Sequence, residues 1–360
     1  MTIFTCAARK RPEVYLSSKH LHAFRAYTVA KSRERSSFKR RSIYISVLAI
    51  LTLSSGAGIA YRYHDLAIDG TIFQRSQSLN PSSFTAFTLT GKDYISAQNA
   101  IFTFAGPMSG QVRKDDQALN NRVLSVEIKQ PQLQISRAYS PLPSMITDEN
   151  CSSFSLAEDS RIQFLIKKEQ KGEVSRYLHK LPIGSQVEIR GPKIEYSLPE
   201  DPLEVIFIAG GTGIAPALQV AKILHNKPFA KMHILWANKK EEELTGSDAI
   251  FVRNDQKHPV VARLENLKDQ FRERAKTLSV EYYVDEKNQY ISSNDVKRYT
   301  VSKSNKSRTG GIRLILVSGP DGFVERWAGP KVWKNGQETQ GQLGGLLGQI
   351  NLKEWHVWKL

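Results

Sequence analysis

Cysteine is almost absent: Cys6 and Cys151 are the only two in 360 residues. That excludes a disulfide-stapled scaffold, and no Cys/His cluster has the spacing of a metal site. Cys151, beside a Ser-rich stretch, reads as an inert loop thiol. Acids are scarce at the start of the chain. Residues 1–62 hold twelve Lys/Arg against Glu13 and Glu34, and so carry +10 of the formal +16. The remaining charge is spread thinly, with no basic stripe interleaved with aromatics, which argues against a nucleic-acid partner. With 40% hydrophobic and 9% aromatic residues, the chain has enough apolar side chains for real cores and is unlike a disordered polymer.

The basic N-terminal region divides in two. Residues 1–41 are rich in Arg, Lys, Ser and Ala, with basic residues from Arg9 to Arg35 at intervals that suit an amphipathic helix. That is the composition of a mitochondrial targeting segment. Residues 42–61 (SIYISVLAILTLSSGAGIAY) carry no charge. At helical rise that stretch spans ~30 Å, the thickness of a bilayer's hydrocarbon core. Lys39, Arg40 and Arg41 precede it, Arg62 follows, and Tyr44, Tyr61 and Tyr63 stand near its ends. The expectation is a transmembrane helix in the inner mitochondrial membrane, basic end in the matrix, with the rest of the chain in the intermembrane space. Residues 62–82 read as a linker.

From 83 to 198 the pattern is of short β-type runs: Phe84–Thr90, Ile101–Phe104, Val123–Lys129, Arg161–Lys168 and Val187–Ile189. One short helix is expected around Val174–Lys180. Such spacing predicts an antiparallel β-barrel. Arg137-Ala138-Tyr139-Ser140-Pro141 sets a guanidinium, an aromatic face and a hydroxyl on one extended segment, where residues two apart share a face. Gly172-Glu173-Val174-Ser175 opens the helix, and a helix N-terminus is a ready anion site.

From 199 to 360 the expectation is a doubly wound parallel α/β sheet. Leu203–Ala209 is nearly continuous in apolar residues, as for a strand covered on both faces. Gly210-Gly211-Thr212-Gly213-Ile214-Ala215-Pro216 follows, then a helix over Ala217–His225. A Gly-rich strand-to-helix turn lets backbone approach a ligand's phosphates, and Gly213 is expected to need positive φ there. Further strands are predicted at Met232–Trp236, Val280–Val284 and Arg313–Val317, with helices at Asp248–Arg253 and Glu265–Lys276. The last strand runs into Ser318-Gly319-Pro320-Asp321-Gly322-Phe323 and a helix, and residues 286–311 read as an insertion.

These motifs, in this order, resemble the ferredoxin reductase superfamily of flavoproteins, and cytochrome b5 reductases in particular, over roughly residues 83–323. The resemblance implies an FAD-containing reductase driven by NADH or NADPH. It implies that Arg137 binds FAD phosphates, that Tyr139 packs against the ribityl and ring, and that Ser140 bonds the flavin near N5. Lys167 would lie near the phosphates, and Gly172, Val174 and Ser175 would form the pyrophosphate helix. Gly211, Thr212, Gly213 and Pro216 would frame the nicotinamide and pyrophosphate, with Gly319, Pro320 and Phe323 as the far wall. Ser318 stands where the family has cysteine beside the nicotinamide, which implies differently tuned hydride transfer. Glu169 replaces an aromatic suited to the adenine, which implies a looser grip on FAD. The tail, residues 125–131 and the leader-plus-anchor layout are most similar to a mitochondrial branch associated with haem attachment to cytochrome c. That similarity implies haem, or the haem-attachment machinery, as electron acceptor.

Overall fold

Alternation of apolar and polar residues builds the first sheet. In the computed structural model, which describes residues 79–106, 119, 121–143, 161–228, 230–244, 258–300 and 311–360, the chain continues as β1 (Thr85–Tyr94), β2 (Asn99–Ala105), β3 (Arg122–Gln130), β4 (Ile135–Tyr139), β5 (Pro141–Leu142), β6 (Arg161–Lys167), α1 (Glu173–Lys180) and β7 (Gln186–Ser197). The strands pair antiparallel in the order β4-β3-β7-β1-β2-β6-β5. Phe87, Leu89, Phe102, Phe104, Val126, Ile128, Phe164 and Ile189 point inward as its core, and α1 adds Val174 and Leu178. Strands β4 and β5 are the two ends of this order and do not pair with each other, so the barrel expected from the sequence is an antiparallel sheet whose ends are not joined by strand pairing.

The second sheet is parallel and follows from β8 (Pro202–Gly210), whose residues Val205 to Ala209 are wholly buried. After it come α2 (Ile214–His225), β9 (Lys231–Asn238), α3 (Pro259–Glu273), β10 (Thr277–Val284), α4 (Ser293–Thr300), β11 (Ile312–Ser318) and α5 (Asp321–Ala328). A hairpin of β12 (Val332–Lys334) and β13 (Gln337–Thr339) leads to the last strand, β14 (Trp355–Lys359). The order is β10-β9-β8-β11-β14. Successive strands therefore run outward from β8 in one direction and then, from β11, in the other. In open α/β sheets ligands bind at that switch point, beyond the C-terminal ends of the strands. Here those ends are Gly210 and Ser318.

The described residues all belong to one compact unit, Gln74–Leu360. The targeting segment 1–41, the uncharged stretch 42–61, most of the linker, Cys151, the helix expected at Asp248–Arg253 and residues 301–310 lie outside the described residues. Among the described residues no helix is long and apolar enough to cross a membrane. The part of the expected insertion that is described, 286–300, holds α4.

β14 was not expected from the sequence. It is held at its end by Lys359, whose side chain is 3% exposed. The Lys359 ammonium donates to the carbonyls of Pro330 at 2.9 Å, Gln342 at 3.1 Å and Gln340. The Gln340 amide in turn bonds the Lys359 backbone N–H and C=O at 2.8 and 2.9 Å, as a neighbouring strand would.

A buried imidazole makes stability depend on pH. His258 starts α3, and its Nδ1 accepts the Val260 N–H at 3.1 Å, which requires a neutral ring. Burial pushes the imidazole down from 6.5 to about 4, against the opposing pull of Glu243. The unfolded chain therefore binds this proton more readily than the folded one. The stabilisation is complete above pH 6.5 and is lost as pH falls through 4, by about 3 kcal/mol at most. Burial also lowers His179, which adds in the same direction. Urea midpoints should fall between pH 7.5 and 4.5, and His258→Gln should flatten that slope. An equal slope in the variant refutes the assignment.

Candidate functional site

Two turns meet at the switch point. Gly211–Gly213 makes one tight turn between β8 and α2. Gly211 takes the left-handed conformation, φ +55, and its carbonyl accepts the Trp236 indole N–H at 2.9 Å. Gly213 is different from expectation: its φ is −59, open to any residue. It is glycine for lack of space. A Cβ there would lie 2.6 Å from the Ser318 carbonyl carbon and 2.8 Å from the Gly319 nitrogen, with the Ser318 oxygen closer still. Strands β8 and β11 are neighbours, so their exit turns touch, backbone against backbone.

Phe323 also departs from expectation. A Cβ on Gly210 would be 2.8 Å from the Phe323 ring, and one on Gly319 2.9 Å from it. The ring packs behind both turns rather than forming the far wall of a cleft.

Arg137, Tyr139, Ser140, Lys167, Gly172, Val174 and Ser175 of the antiparallel domain face Thr212, Gly213, Pro216, Ser318, Gly319 and Pro320 across one cleft of about 450 Å³. Gly211 and Phe323 do not line it. The Arg137 guanidinium is exposed, 3.8 Å from the Glu173 carboxylate, and donates to the Ser136 carbonyl at 3.1 Å. Tyr139 packs on the core of the antiparallel domain. Burial pushes its phenol up, Arg137 opposing and Glu169 adding to the rise. Ser318 is buried at 8% exposure.

The loop before α1 is tight. The Ser175 hydroxyl accepts the Glu169 N–H at 3.1 Å and donates to the Gly172 carbonyl at 3.3 Å. A Cβ on Gly172 would meet Glu169 Cβ at 2.8 Å. The hydroxyl expected to face an anion is thus engaged in shaping the loop. No side chain caps the first N–H groups of α1, which remain suited to an anion.

Lys167 lines the cleft, but its ammonium lies 2.5 Å from Glu243, a carboxylate 2% exposed. Glu243 also accepts from Asn99 Nδ2 at 3.0 Å and from the N–H groups of Lys239 and Lys240 at 3.0 and 3.3 Å. Burial pushes this carboxyl up, and Lys167, the Lys240 N–H and Asn99 more than reverse it, leaving it below its ordinary value. Sequence reasoning passed over Glu243. One acid in Glu241-Glu242-Glu243 carries no mark that its partners sit on β2 and β6.

The donor set fits a flavin dinucleotide and a nicotinamide dinucleotide: an exposed guanidinium, an uncapped helix start and two glycine-bearing turns open on one cleft. Among the described residues no group of His, Cys, Asp and Glu is arranged to hold a metal.

Comparison with known proteins agrees. Residues 86–197 match the oxidoreductase FAD-binding domain, and residues 207–327 the oxidoreductase NAD-binding domain. The cytochrome c mitochondrial import factor of Saccharomyces cerevisiae is 24% identical over 92% of this chain and 95% of its own length. NADH-cytochrome b5 reductase 1 of Aspergillus terreus is 33% identical over 48% of this chain. The match spans only 57% of that reductase. Among solved structures, the CS-b5R domains of human Ncb5or in the NAD+ form superpose with a TM-score of 0.50 at 20% identity, over 76% of this chain and 69% of that one, which supports the fold. The chain belongs to the family of oxidoreductases that join an FAD-binding to an NAD-binding domain, the ferredoxin reductase and cytochrome b5 reductase family.

Proposed function

We propose that the chain is a membrane-anchored NAD(P)H reductase that passes electrons through FAD to haem, or to the haem-attachment machinery, during cytochrome c maturation in the intermembrane space. The observation that carries the reading is the convergence of the antiparallel domain's motif and both glycine turns on one cleft. When bound, FAD accepts a hydride and releases single electrons. The protein's share is placement. Arg137 and the start of α1 hold the FAD phosphates, Tyr139 backs the ring, and Ser140 bonds the flavin edge. Thr212, Gly213 and Pro216 receive the dinucleotide, with Ser318, Gly319 and Pro320 opposite. In the turn after β9, Lys240 pairs with Glu242 at 3.4 Å, and Glu241 of the same turn pairs with Lys287 beyond β10 at 2.6 Å, so the turn presents its acids beside its cations. That favours NADH over a dinucleotide with a 2′-phosphate.

The yeast relative's name and the extent of its match support the mitochondrial setting. Detergent-solubilised full-length protein should be yellow and should bleach anaerobically with NADH faster than with NADPH. Reoxidation by haem rather than by cytochrome b5 separates the proposed role from a plain b5 reductase. A protein that binds FAD yet bleaches with neither dinucleotide is instead an assembly factor of low turnover, a reading that Ser318 in place of cysteine favours.

The anchor has its own test. The chain should resist carbonate extraction from mitochondria, and protease should reach its C-terminal domains once the outer membrane is ruptured. Release by carbonate defeats the anchor. Protection until the inner membrane opens reverses the orientation.

A further inference from the structure

α2 is apolar along almost its whole length, yet it buries a glutamine. Gln219 is 4% exposed and lies six residues beyond Gly213. Its Oε1 accepts the Leu124 N–H at 2.8 Å, and its Nε2 donates to the Leu124 carbonyl at 3.0 Å and to the Pro141 carbonyl at 2.8 Å. Leu124 is on β3 and Pro141 on β5, which are not paired with each other in the antiparallel sheet. β4 pairs with β3 only from Val126 onward, so Leu124 lies beyond the end of β4. The side-chain amide of Gln219 occupies that seam. It presents one acceptor and two donors to the backbone of that sheet, as a strand would.

We infer that Gln219 is the positioning residue that sets the nicotinamide turn against the flavin strand. Pro141 follows Ser140 directly, and Gln219 rides on the helix that Gly213 begins. One amide therefore ties the segment that follows Ser140 to the helix that follows Gly213. The Lys167–Glu243 pair, the Arg263 guanidinium bond to Gln163 and the Trp358 indole bond to the Glu195 carbonyl at 3.2 Å also cross between the halves, but none of them joins the helix after Gly213 to the strand after Ser140. The inference rests on the proposed NAD(P)H-to-FAD transfer. There NADH gives up a hydride and becomes NAD+, and the oxidised flavin takes that hydride and one solvent proton. Gln219 touches neither partner. It acts by holding the distance between them, and a displacement of about 1 Å at such a step costs on the order of a hundredfold in rate.

Two variants test this. Gln219→Met keeps the length and removes all three bonds. Gln219→Glu keeps the acceptor for the Leu124 N–H and loses both donors. In FAD-free protein, amide hydrogen exchange at Leu124 should accelerate at least about tenfold in Gln219→Met and stay near the parent in Gln219→Glu. In the FAD-loaded full chain, both variants should lose about tenfold to a hundredfold in the limiting rate of flavin bleaching by NADH. FAD content and the half-saturating NADH concentration should remain within about twofold. If Gln219→Met does not fold, Gln219→Glu carries the kinetic test alone. Unchanged Leu124 exchange in a folded Gln219→Met overturns the inference, because the bond is then not made. Limiting rates per bound flavin equal to the parent's overturn it too, leaving Gln219 a structural residue. A parent that bleaches with neither dinucleotide fails the functional reading itself, and the inference falls with it.

Discussion

Replacing Gly213 with alanine is expected to cut flavin reduction by NADH at least about a hundredfold, the scale of a 1 Å displacement at a reacting centre, while FAD stays bound. The added methyl collides with the Ser318 carbonyl and the Gly319 nitrogen, and neither is the end of a flexible side chain. Relief requires β8 and β11 to part at their exits, where the dinucleotide is proposed to bind. The flavin contacts lie on the antiparallel domain and are not displaced directly. Gly211→Ala is the control. It adds left-handed strain of about 1–2 kcal/mol but meets nothing within 4 Å. Its effect should therefore fall on stability more than on rate. Stopped-flow bleaching with NADH, with flavin content measured on the same samples, reads both variants. If Gly213→Ala bleaches as fast as the parent, the dinucleotide does not pass between these turns.

Arg137→Ala should weaken FAD binding by roughly tenfold to a hundredfold, since a hydrogen bond to a charged group contributes about 1.5–3 kcal/mol. The folded protein gives the guanidinium little to do. Its carboxylate partner is 3.8 Å away and both side chains are about half exposed, so that pair adds little stability. The melting temperature of FAD-free protein should therefore be unchanged within error. Flavin retained after dilution and dialysis, measured by absorbance, decides the matter. Parental retention would remove Arg137 from the phosphate site.

Much of this architecture was legible because local pattern and tertiary role coincide. The continuous apolar run at Leu203–Ala209 belongs to a strand covered on both faces, and it is the central strand. The alternation in Val123–Lys129 belongs to a strand with one face on a core. The cleft residues were legible because glycine turns, a guanidinium and a helix start are local chemical statements. What was misread depends on distant partners. Gly213 is glycine because of Ser318, more than a hundred residues later, and its own φ is ordinary. Phe323 looked like a wall residue until Gly210 and Gly319 placed it behind the turns. Lys167 lines the cleft as expected, but its Glu243 partner could not be read from the sequence. Gln219 carried a signal that could have been used: a buried-face glutamine in an apolar helix needs a partner for its amide. The sequence did not say which backbone would supply it. β14 was missed although its Trp and Val residues favour a strand, because nothing local marks β11 as the strand it pairs with. The burial of Lys359 follows from three carbonyls on the segment around β12 and β13.

Lys359 gives the molecule a chemical clock. Its amine is walled in by carbonyls for as long as β14 stays against β11, whereas Lys334 on the neighbouring hairpin stands in solvent. An amine-acylating reagent therefore marks Lys334 at once and Lys359 only during excursions in which the sheet edge lifts away. The ratio of the two rates counts those excursions in the unaltered protein, at the border of the sheet whose next strand ends on the cleft.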